Sequence, residues 1–309
     1  MPEGLVIKST GKWYEVKNAE GRLLQCQVRG KIRLEGRSTT NPVAAGDRVD
    51  YEPENESEGN IVRIHPRKNY IIRKSVNLSK EAQIIAANLD LAILLVTITR
   101  PQTTPGFIDR FLVTADAYDI PAILVFHKID QFNEEELKST EMTIQNYEKI
   151  GYPCIKTSIP QLTGLEELRT LLQGKITLIS GHSATGKSSL VNYFIPGKEL
   201  RIGDVSEASN KGQHTTTFAE MHELPFGGYL VDTPGIKGFG LVDIPKDELH
   251  HHFKEFFALL PECKYHNCLH LNEPGCAVRK ALDTGDVAAS RYNSYVSMYH
   301  DEEERSVYR

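Results

Sequence analysis

The sequence predicts a multi-domain α/β protein, and two changes of pattern along its 309 residues separate three parts. Short apolar segments divided by turns fill residues 1–70, and a β-α-β-α alternation occupies residues 71–242. Residues 243–309 combine helical spacing with a group of cysteines. These observations predict an N-terminal β-barrel, a central domain with a mostly parallel sheet, and a C-terminal α-helical domain.

The composition, with 40% apolar and 25% charged residues, is that of a soluble globular protein. No apolar run approaches the ~18 to 20 residues of a membrane span, and the first residues do not resemble a signal peptide. Five cysteines make a poor disulfide framework. We therefore expect a cytoplasmic protein with no membrane partner.

In the first part, residues 4–7, 13–16 and 23–28 are short or alternating apolar segments closed by turns, and residues 45–49 and 59–62 suggest two further strands. They predict a five-stranded barrel of the OB type. The net charge of −5 argues against a protein that coats nucleic acid through bulk charge. One local basic group contains Arg22, Arg29, Lys31, Arg33, Arg37 and Arg48. On charge alone, it is best interpreted as a solvated surface.

The central part begins with buried strands. Residues 89–96 are almost continuously apolar, as in a strand covered on both faces, and residues 121–126 repeat the pattern. Helical spacing follows each, with Asn133 as the predicted cap of the second helix. Further strands are predicted at 154–157 and 175–179, a helix at 164–172, and a hairpin at 218–231 that turns at 226–228.

Residues 181–188 match G-x-x-x-x-G-K-[ST] at every fixed position, between a predicted strand and a helix. Such a loop points backbone N–H groups at phosphate oxygens, and the following helix adds its positive N-terminal dipole. Lys187 would reach the β- and γ-phosphates, and Ser188 would ligate Mg²⁺. The predicted phosphate-binding residues are Gly181, His182, Ser183, Ala184, Thr185, Gly186, Lys187, Ser188 and Ser189.

Asp232 and Gly235 form a D-x-x-G motif at the end of an apolar strand. Asp232 would hold Mg²⁺ through water, and the Gly235 N–H would sense the γ-phosphate. His127-Lys128-Ile129-Asp130 follows a buried strand and resembles the N-K-x-D motif that reads guanine. Thr157 and Ser158, after the next strand, resemble the motif that covers guanine O6.

Two departures from the usual motifs affect affinity and rate. His127 stands where the guanine motif has Asn, so we expect guanine preference with weaker affinity, and an ATPase remains an alternative. Ile236 stands where many GTPases have the Gln that orients the attacking water. His214, beside the threonines at 215–217, is the candidate for that role and is assigned as catalytic with Lys187.

The order of these motifs is rotated. The base motifs at 127 and 157 precede the phosphate loop at 181, whereas ordinary GTPases begin with the phosphate loop. The central domain is therefore predicted to be a circularly permuted P-loop GTPase domain. The strand that ends at Asp232 then leads directly into the C-terminal domain.

Cys263, Cys268, His270 and Cys276 offer three thiolates and one imidazole, which complete a tetrahedral Zn²⁺ shell. With no open coordination position, the site is predicted to be structural. His266 is a rival to His270, and Cys26 and Cys154 are expected in the core.

The whole chain resembles the small-subunit-dependent GTPases of ribosome assembly known as RsgA or YjeQ. The matching segments are residues 40–47, 87–90, 211–217 and 232–235 together with the cysteine cluster. The resemblance implies a monomeric factor in late assembly of the 30S subunit that hydrolyses GTP to GDP under stimulation by that particle. It also implies that the OB and zinc domains contact 16S rRNA. A nucleotide-gated scaffold with incidental hydrolysis is the alternative.

Overall fold

The computed structural model describes residues 1–29, 42–74, 82–197, 219–232 and 244–307. Its strands are β1 (Glu3–Ser9), β2 (Tyr14–Asn18), β3 (Leu23–Val28), β4 (Arg48–Pro53), β5 (Glu58–Ile64), β6 (Tyr70–Lys74), β7 (Ala82–Ala87), β8 (Leu91–Val96), β9 (Ala122–His127), β10 (Cys154–Thr157), β11 (Ile176–Gly181), β12 (Glu220–Glu223) and β13 (Tyr229–Asp232). Its α-helices are α1 (Pro105–Ala117), α2 (Glu134–Lys149), α3 (Leu165–Leu172), α4 (Lys187–Phe194), α5 (Lys254–Leu259), α6 (Ala277–Thr284) and α7 (Ala289–Val307).

The first five strands form a closed barrel in the order β1-β2-β3-β5-β4, and β1 pairs again with β4. Side chains of a strand alternate between its two faces, so every second residue enters the barrel core. Val6, Tyr14, Val16, Val49 and Ile61 are buried there. The predicted five-stranded barrel is confirmed.

The turn before β4 fastens the barrel to the next part of the chain. Gly46 has φ +91°, and a Cβ atom there would lie 2.1 Å from the carbonyl oxygen of Ala87 in β7. The fully buried carboxylate of Asp47 accepts two hydrogen bonds of 2.6 Å from the Arg67 guanidinium. Such a two-point pair fixes orientation as well as distance. It ties the barrel to the segment that leads into the hairpin β6–β7, which the sequence did not indicate.

The central sheet has the order β10-β9-β8-β11-β13-β12, in which the first five strands are parallel and β12 is antiparallel. Leu94 of β8 packs with α1 and α2, whereas Ile93 and Leu95 pack with α3 and α4. Helices thus cover both faces, which is why these strands are apolar throughout. The segments that follow the parallel strands meet at one edge of the sheet, and this edge carries the candidate site.

Strands β12 and β13 form the predicted hairpin around residues 226–228. On its other side β12 pairs with β1 at Lys8 and Glu220, so the barrel continues the central sheet. The Lys8 and Glu220 side chains form an ion pair of 3.0 Å at the same position. The barrel is therefore attached to β12, the strand beside β13, and β13 ends at Asp232.

In the C-terminal part, the spacing of residues 246–260 predicts one helix, and this prediction is wrong in extent. A 3-10 turn covers Leu249–His252, and α5 begins only at Lys254. Phe253 between them has an extended backbone and a fully buried ring, which packs 5.5 Å from the Tyr295 ring of α7. Burial of this ring interrupts the helix. Among the described residues, every helix falls short of the length or the apolarity that a membrane span needs.

Candidate nucleotide-binding site and metal centre

The phosphate loop follows β11 and leads into α4, as predicted. Gly186, with φ +101°, lies so close to the ring of His127 that a Cβ atom would be 2.6 Å from His127 Cδ2. The Lys187 ammonium lies inside the loop and donates to the carbonyl oxygens of Gly181 (2.5 Å) and His182 (3.0 Å). Thr185 is buried, and its hydroxyl donates to the same His182 oxygen at 2.8 Å. The loop is thus a compact turn built around the Lys187 amine.

Burial lowers the pKa of Lys187, and the negative charge of Asp232 acts in the opposite direction. Asp232 ends β13, which pairs with β11 at Ile179, so its carboxylate lies at the same sheet edge as the loop. Ser188 and Ser189 occupy the first turn of α4. This edge therefore combines a helix N-terminus, a partly desolvated amine and a carboxylate, which together suit a triphosphate with a divalent cation.

The base motif lies beside the loop. His127 ends β9 and Thr157 ends the neighbouring β10, and the two are in register. His127 Nδ1 lies 2.9 Å from Thr157 Oγ1, whose own hydrogen is directed at the Phe126 carbonyl (3.4 Å). The two side chains thus form a hydrogen bond, and the other ring nitrogen faces the backbone of Gly186. The imidazole fills the space between the strand ends and the phosphate loop.

Lys128 and Asp130 extend this arrangement. Lys128 has a left-handed backbone, and its ammonium donates to the carbonyl oxygen of Ala184 in the phosphate loop at 2.7 Å. The Ser158 hydroxyl donates to Asp130 Oδ1 at 2.6 Å. Ile129 starts the short 3-10 turn that contains Asp130. The structure thus brings both predicted base motifs and the phosphate loop together.

Burial lowers the pKa of His127 to about 4, and the neighbouring Lys128 acts in the same direction while Asp130 opposes it. In the unfolded chain the pKa of this histidine is near 6.5. Between pH 4 and pH 6.5 the unfolded state therefore binds more protons than the folded state. The free energy of unfolding therefore falls as the pH falls from about 6.5 to about 4. We expect this residue to contribute about 3 kcal/mol to that loss.

Replacing His127 with Asn should remove this contribution. Urea unfolding at pH 7 and at pH 4.5 measures it, because wild type should lose about 2 to 3 kcal/mol more than His127→Asn over this range. Burial also lowers the pKa values of His250 and His270 to about 4, and their contributions are common to both proteins. Equal losses in the two proteins would contradict a buried neutral His127.

Several predicted residues lie outside the described part of the chain. They are His214, the threonines at 215–217, Gly235 and Ile236. The basic group on the barrel is described only in part, at Arg22, Arg29 and Arg48. Arg29 and Arg48 are exposed, and each forms an ion pair, with Glu52 and Glu3 respectively.

The cysteine cluster forms a compact centre in the C-terminal part. The Sγ atoms of Cys263, Cys268 and Cys276 and a ring nitrogen of His270 all lie within 4.8 Å of one another. His270 Nδ1 is 3.6 Å from Cys263 Sγ and 3.3 Å from Cys276 Sγ. Tetrahedral Zn²⁺ with ordinary bond lengths requires about 3.6 Å between nitrogen and sulfur ligands. The four side chains therefore fit a bound metal ion.

The surroundings of the cluster also suit thiolates. The backbone N–H of Ala277 points at Cys263 Sγ (3.3 Å), and that of Arg279 points at Cys276 Sγ (3.4 Å). Burial raises the pKa of Cys268 to about 12, so a metal ion must displace a proton to bind there. Cys26, in the barrel, is buried, and Cys154 is half-buried; both lie outside the cluster.

One contact of the phosphate loop had no signal in the sequence. The ring of His182 packs on the ring of Phe107 in the first turn of α1, with centroids 3.9 Å apart and planes at 31°. In the sequence, His182 is one of the unspecified positions of the predicted phosphate-binding motif. Phe107 belongs to the segment of helical spacing after the first buried strand, and helical spacing does not reveal a contact with a distant loop.

Comparison with known proteins gives the family. A family model described as the RsgA GTPase matches residues 64–242, and one described as the RsgA N-terminal domain matches residues 3–61. The chain belongs to the RsgA GTPase family. Two relatives, from Flavobacterium psychrophilum and Bacteroides thetaiotaomicron, are 51% and 50% identical over 97% and 98% of this chain. These matches cover 93% and 97% of the two relatives. The first is named Small ribosomal subunit biogenesis GTPase RsgA, and the second Small ribosomal subunit biogenesis GTPase RsgA 2.

Solved structures agree with this assignment. YjeQ from Thermotoga maritima has a TM-score of 0.79 and 36% identity, with 97% of this chain and 98% of that chain covered. YloQ, described as a circularly permuted GTPase, has a TM-score of 0.76 and 29% identity, with 99% and 96% covered. The permuted motif order is confirmed for this RsgA family member. The predicted boundary between residues 70 and 71 falls inside β6 and stays a prediction.

Proposed function

We propose that this RsgA family GTPase acts late in assembly of the 30S ribosomal subunit and hydrolyses GTP to GDP and phosphate when it binds that particle. The observation that carries the proposal is the likeness to small-subunit biogenesis GTPases, which extends at about half identity over nearly the whole chain. It therefore includes the barrel and the cysteine cluster as well as the nucleotide site. We place the protein in the cytoplasm as a monomer.

In the proposed reaction, Lys187 leaves the carbonyl oxygens of the loop and binds the β- and γ-phosphates. Ser188 and Asp232 would hold Mg²⁺, which would supply positive charge against the phosphates. Asp130 accepts hydrogen bonds from guanine N1–H and the 2-amino group, and Ser158 orients that carboxylate through the bond of 2.6 Å. His127 and Lys128 brace the loop. The Gly235 N–H senses the γ-phosphate, and His214 positions the attacking water.

The zinc and barrel domains supply the proposed contacts with 16S rRNA. The donor set of three thiols and one imidazole favours Zn²⁺, and because these four side chains complete a tetrahedral shell, we take the site to be structural. On the barrel, the basic group that includes Arg22, Arg29 and Arg48 suits the phosphate backbone of RNA. The exposed ion pairs of Arg29 and Arg48 are weak enough to be exchanged for phosphate.

GTP turnover by the purified protein, measured with and without 30S subunits, tests the proposal. We expect turnover to rise at least ~10-fold with subunits, and His214→Ala to remove most of this gain by disordering the attacking water. The large subunit is the control particle. If subunits bind in a GTP-dependent manner without raising turnover, the protein is a nucleotide-gated scaffold. If ATP at the same concentration as GTP competes with GTP for the site, the result would favour the alternative that the protein is an ATPase.

A further inference from the structure

The first turn of α1 lies against the phosphate loop. Thr104 caps this helix by accepting a hydrogen bond from the Phe107 N–H, so the cap fixes the turn that carries the Phe107 ring. That ring packs on His182, whose pKa burial lowers, with Lys187 acting in the same direction. A neutral imidazole stacked on a phenyl ring is a defined contact, because aromatic pairs favour particular offsets and angles.

The opposite side of the same turn of α1 faces the C-terminal domain. Residues two positions apart on an α-helix point in nearly opposite directions. Asp109, two residues after Phe107, is fully buried and accepts a hydrogen bond of 2.7 Å from the Arg291 guanidinium of α7. A Cβ atom at Gly106 would lie 4.0 Å from Ser294 Oγ, one turn further along α7. One turn of α1 therefore contacts both the phosphate loop and α7.

Arg291 connects this turn to the rest of the C-terminal domain. Its guanidinium is 3% exposed, forms hydrogen bonds of 2.7 and 3.0 Å with Glu255 of α5, and lies 4.5 Å over the ring of Phe253. The Tyr147 hydroxyl of α2 completes the cluster with a bond of 2.8 Å to Asp109. Buried pairs of this kind tolerate little rearrangement, since each charge would be costly without its partner.

From these contacts we propose that Phe107 is a positioning residue for the phosphate loop, and that it couples the loop to docking of the zinc-bearing domain through Asp109 and Arg291. A particle that shifts α7 shifts the first turn of α1, and with it the aromatic support of His182. This route is separate from the chain segment between β13 and the C-terminal domain. The inference rests on the proposed function only for the identity of the stimulating particle.

Coupling between two sites is reciprocal, so the proposal is testable without ribosomes. Affinity for a fluorescent GDP analogue with Mg²⁺ is the readout. Phe107→Leu keeps apolar bulk but removes the ring, and it should weaken binding about 2- to 10-fold. Phe107→Tyr keeps the ring and should bind like wild type. Ile144→Val, in the core of the same domain, is the control for a general loss of stability.

A double-mutant cycle then tests the connection. Arg291→Lys keeps the charge but loses the forked geometry, and it should also weaken GDP binding. If the two single effects were independent, the loss of GDP affinity in the double variant would equal their product. If the route is as proposed, the double variant binds GDP at least ~3-fold more tightly than that product predicts. Glu255→Gln is the second variant at the same cluster, for use if Arg291→Lys does not fold.

Two results would overturn the inference. One is independent effects, in which the double variant matches the product of the singles within about 2-fold. The other is equal GDP affinity in Phe107→Leu and wild type. With 30S subunits, Phe107→Leu should bind the particle normally and show a smaller stimulation of turnover. If wild type itself is not stimulated, the proposed function fails, while the cycle still decides the coupling.

Discussion

Replacing Lys187 with alanine is expected to lower kcat/KM for GTP by about 10²- to 10³-fold. The Lys187 ammonium is the cation of the phosphate loop, and burial lowers its pKa, so it is already partly desolvated before substrate binds. An ammonium that is partly desolvated and already positioned interacts most strongly with the negative charge that develops on the phosphates in the transition state. Steady-state GTP turnover with saturating Mg²⁺ measures the effect.

The same substitution should leave the fold intact. In the structure the ammonium donates to the loop carbonyl oxygens of Gly181 and His182, and water can replace it there. We therefore expect the thermal midpoint to change by less than about 3 °C. Lys138→Ala, at an exposed position of α2, is the matched control and should retain full turnover. Comparable activity of Lys187→Ala and wild type would refute the assignment of this loop.

The phosphate loop could be predicted because its signature is local. Eight consecutive residues contain the glycines, the lysine and the serine, and the flanking patterns identify a strand and a helix. The base motifs were found for the same reason, since each follows an apolar strand. Their proximity to the loop then follows from topology, because β9, β10 and β11 are parallel and end at one edge.

Contacts between distant segments could not be predicted in this way. The ring pair of Phe107 and His182 joins a helix to a loop, and Arg291 pairs with a residue 182 positions away. Neither contact leaves a period or a motif in the sequence. The break at Phe253 was missed because the flanking residues have helical spacing. Only the packed structure reveals that its ring is needed in the core.

The hairpin β6–β7 could not be predicted either, because it depends on packing against other parts of the chain. A two-stranded hairpin is at best marginally stable by itself. Ile71 and Ala86 enter the main core, whereas Ile72 and Ile84 pack in a separate small cluster with Ala44. The hairpin is held by the barrel turn at Gly46, so its position depends on tertiary contacts.

The second large effect concerns the metal centre. Replacing Cys268 with serine is expected to abolish stoichiometric metal binding and to unfold the C-terminal domain, because structural Zn²⁺ contributes about 10 to 16 kcal/mol of apparent binding free energy in small domains. Cys268 and Cys276 belong to the same apolar cluster as Phe256, Tyr295 and Met298. Loss of the metal therefore loosens the packing of α5 and α7 as well as the loop of the ligands.

Metal content by atomic spectroscopy and the protease sensitivity of the C-terminal domain measure this outcome. Wild type should contain one Zn²⁺ per chain, and Cys268→Ser markedly less. Cys154→Ser, at a half-buried thiol outside the cluster, is the matched control and should retain the metal. Because the sheet and barrel have separate cores, Cys268→Ser should still bind GDP, but more weakly if Arg291 holds the loop through α1. Full metal content in Cys268→Ser would show that the cluster is not the metal site, and unchanged GDP affinity after its unfolding would count against the route through α1.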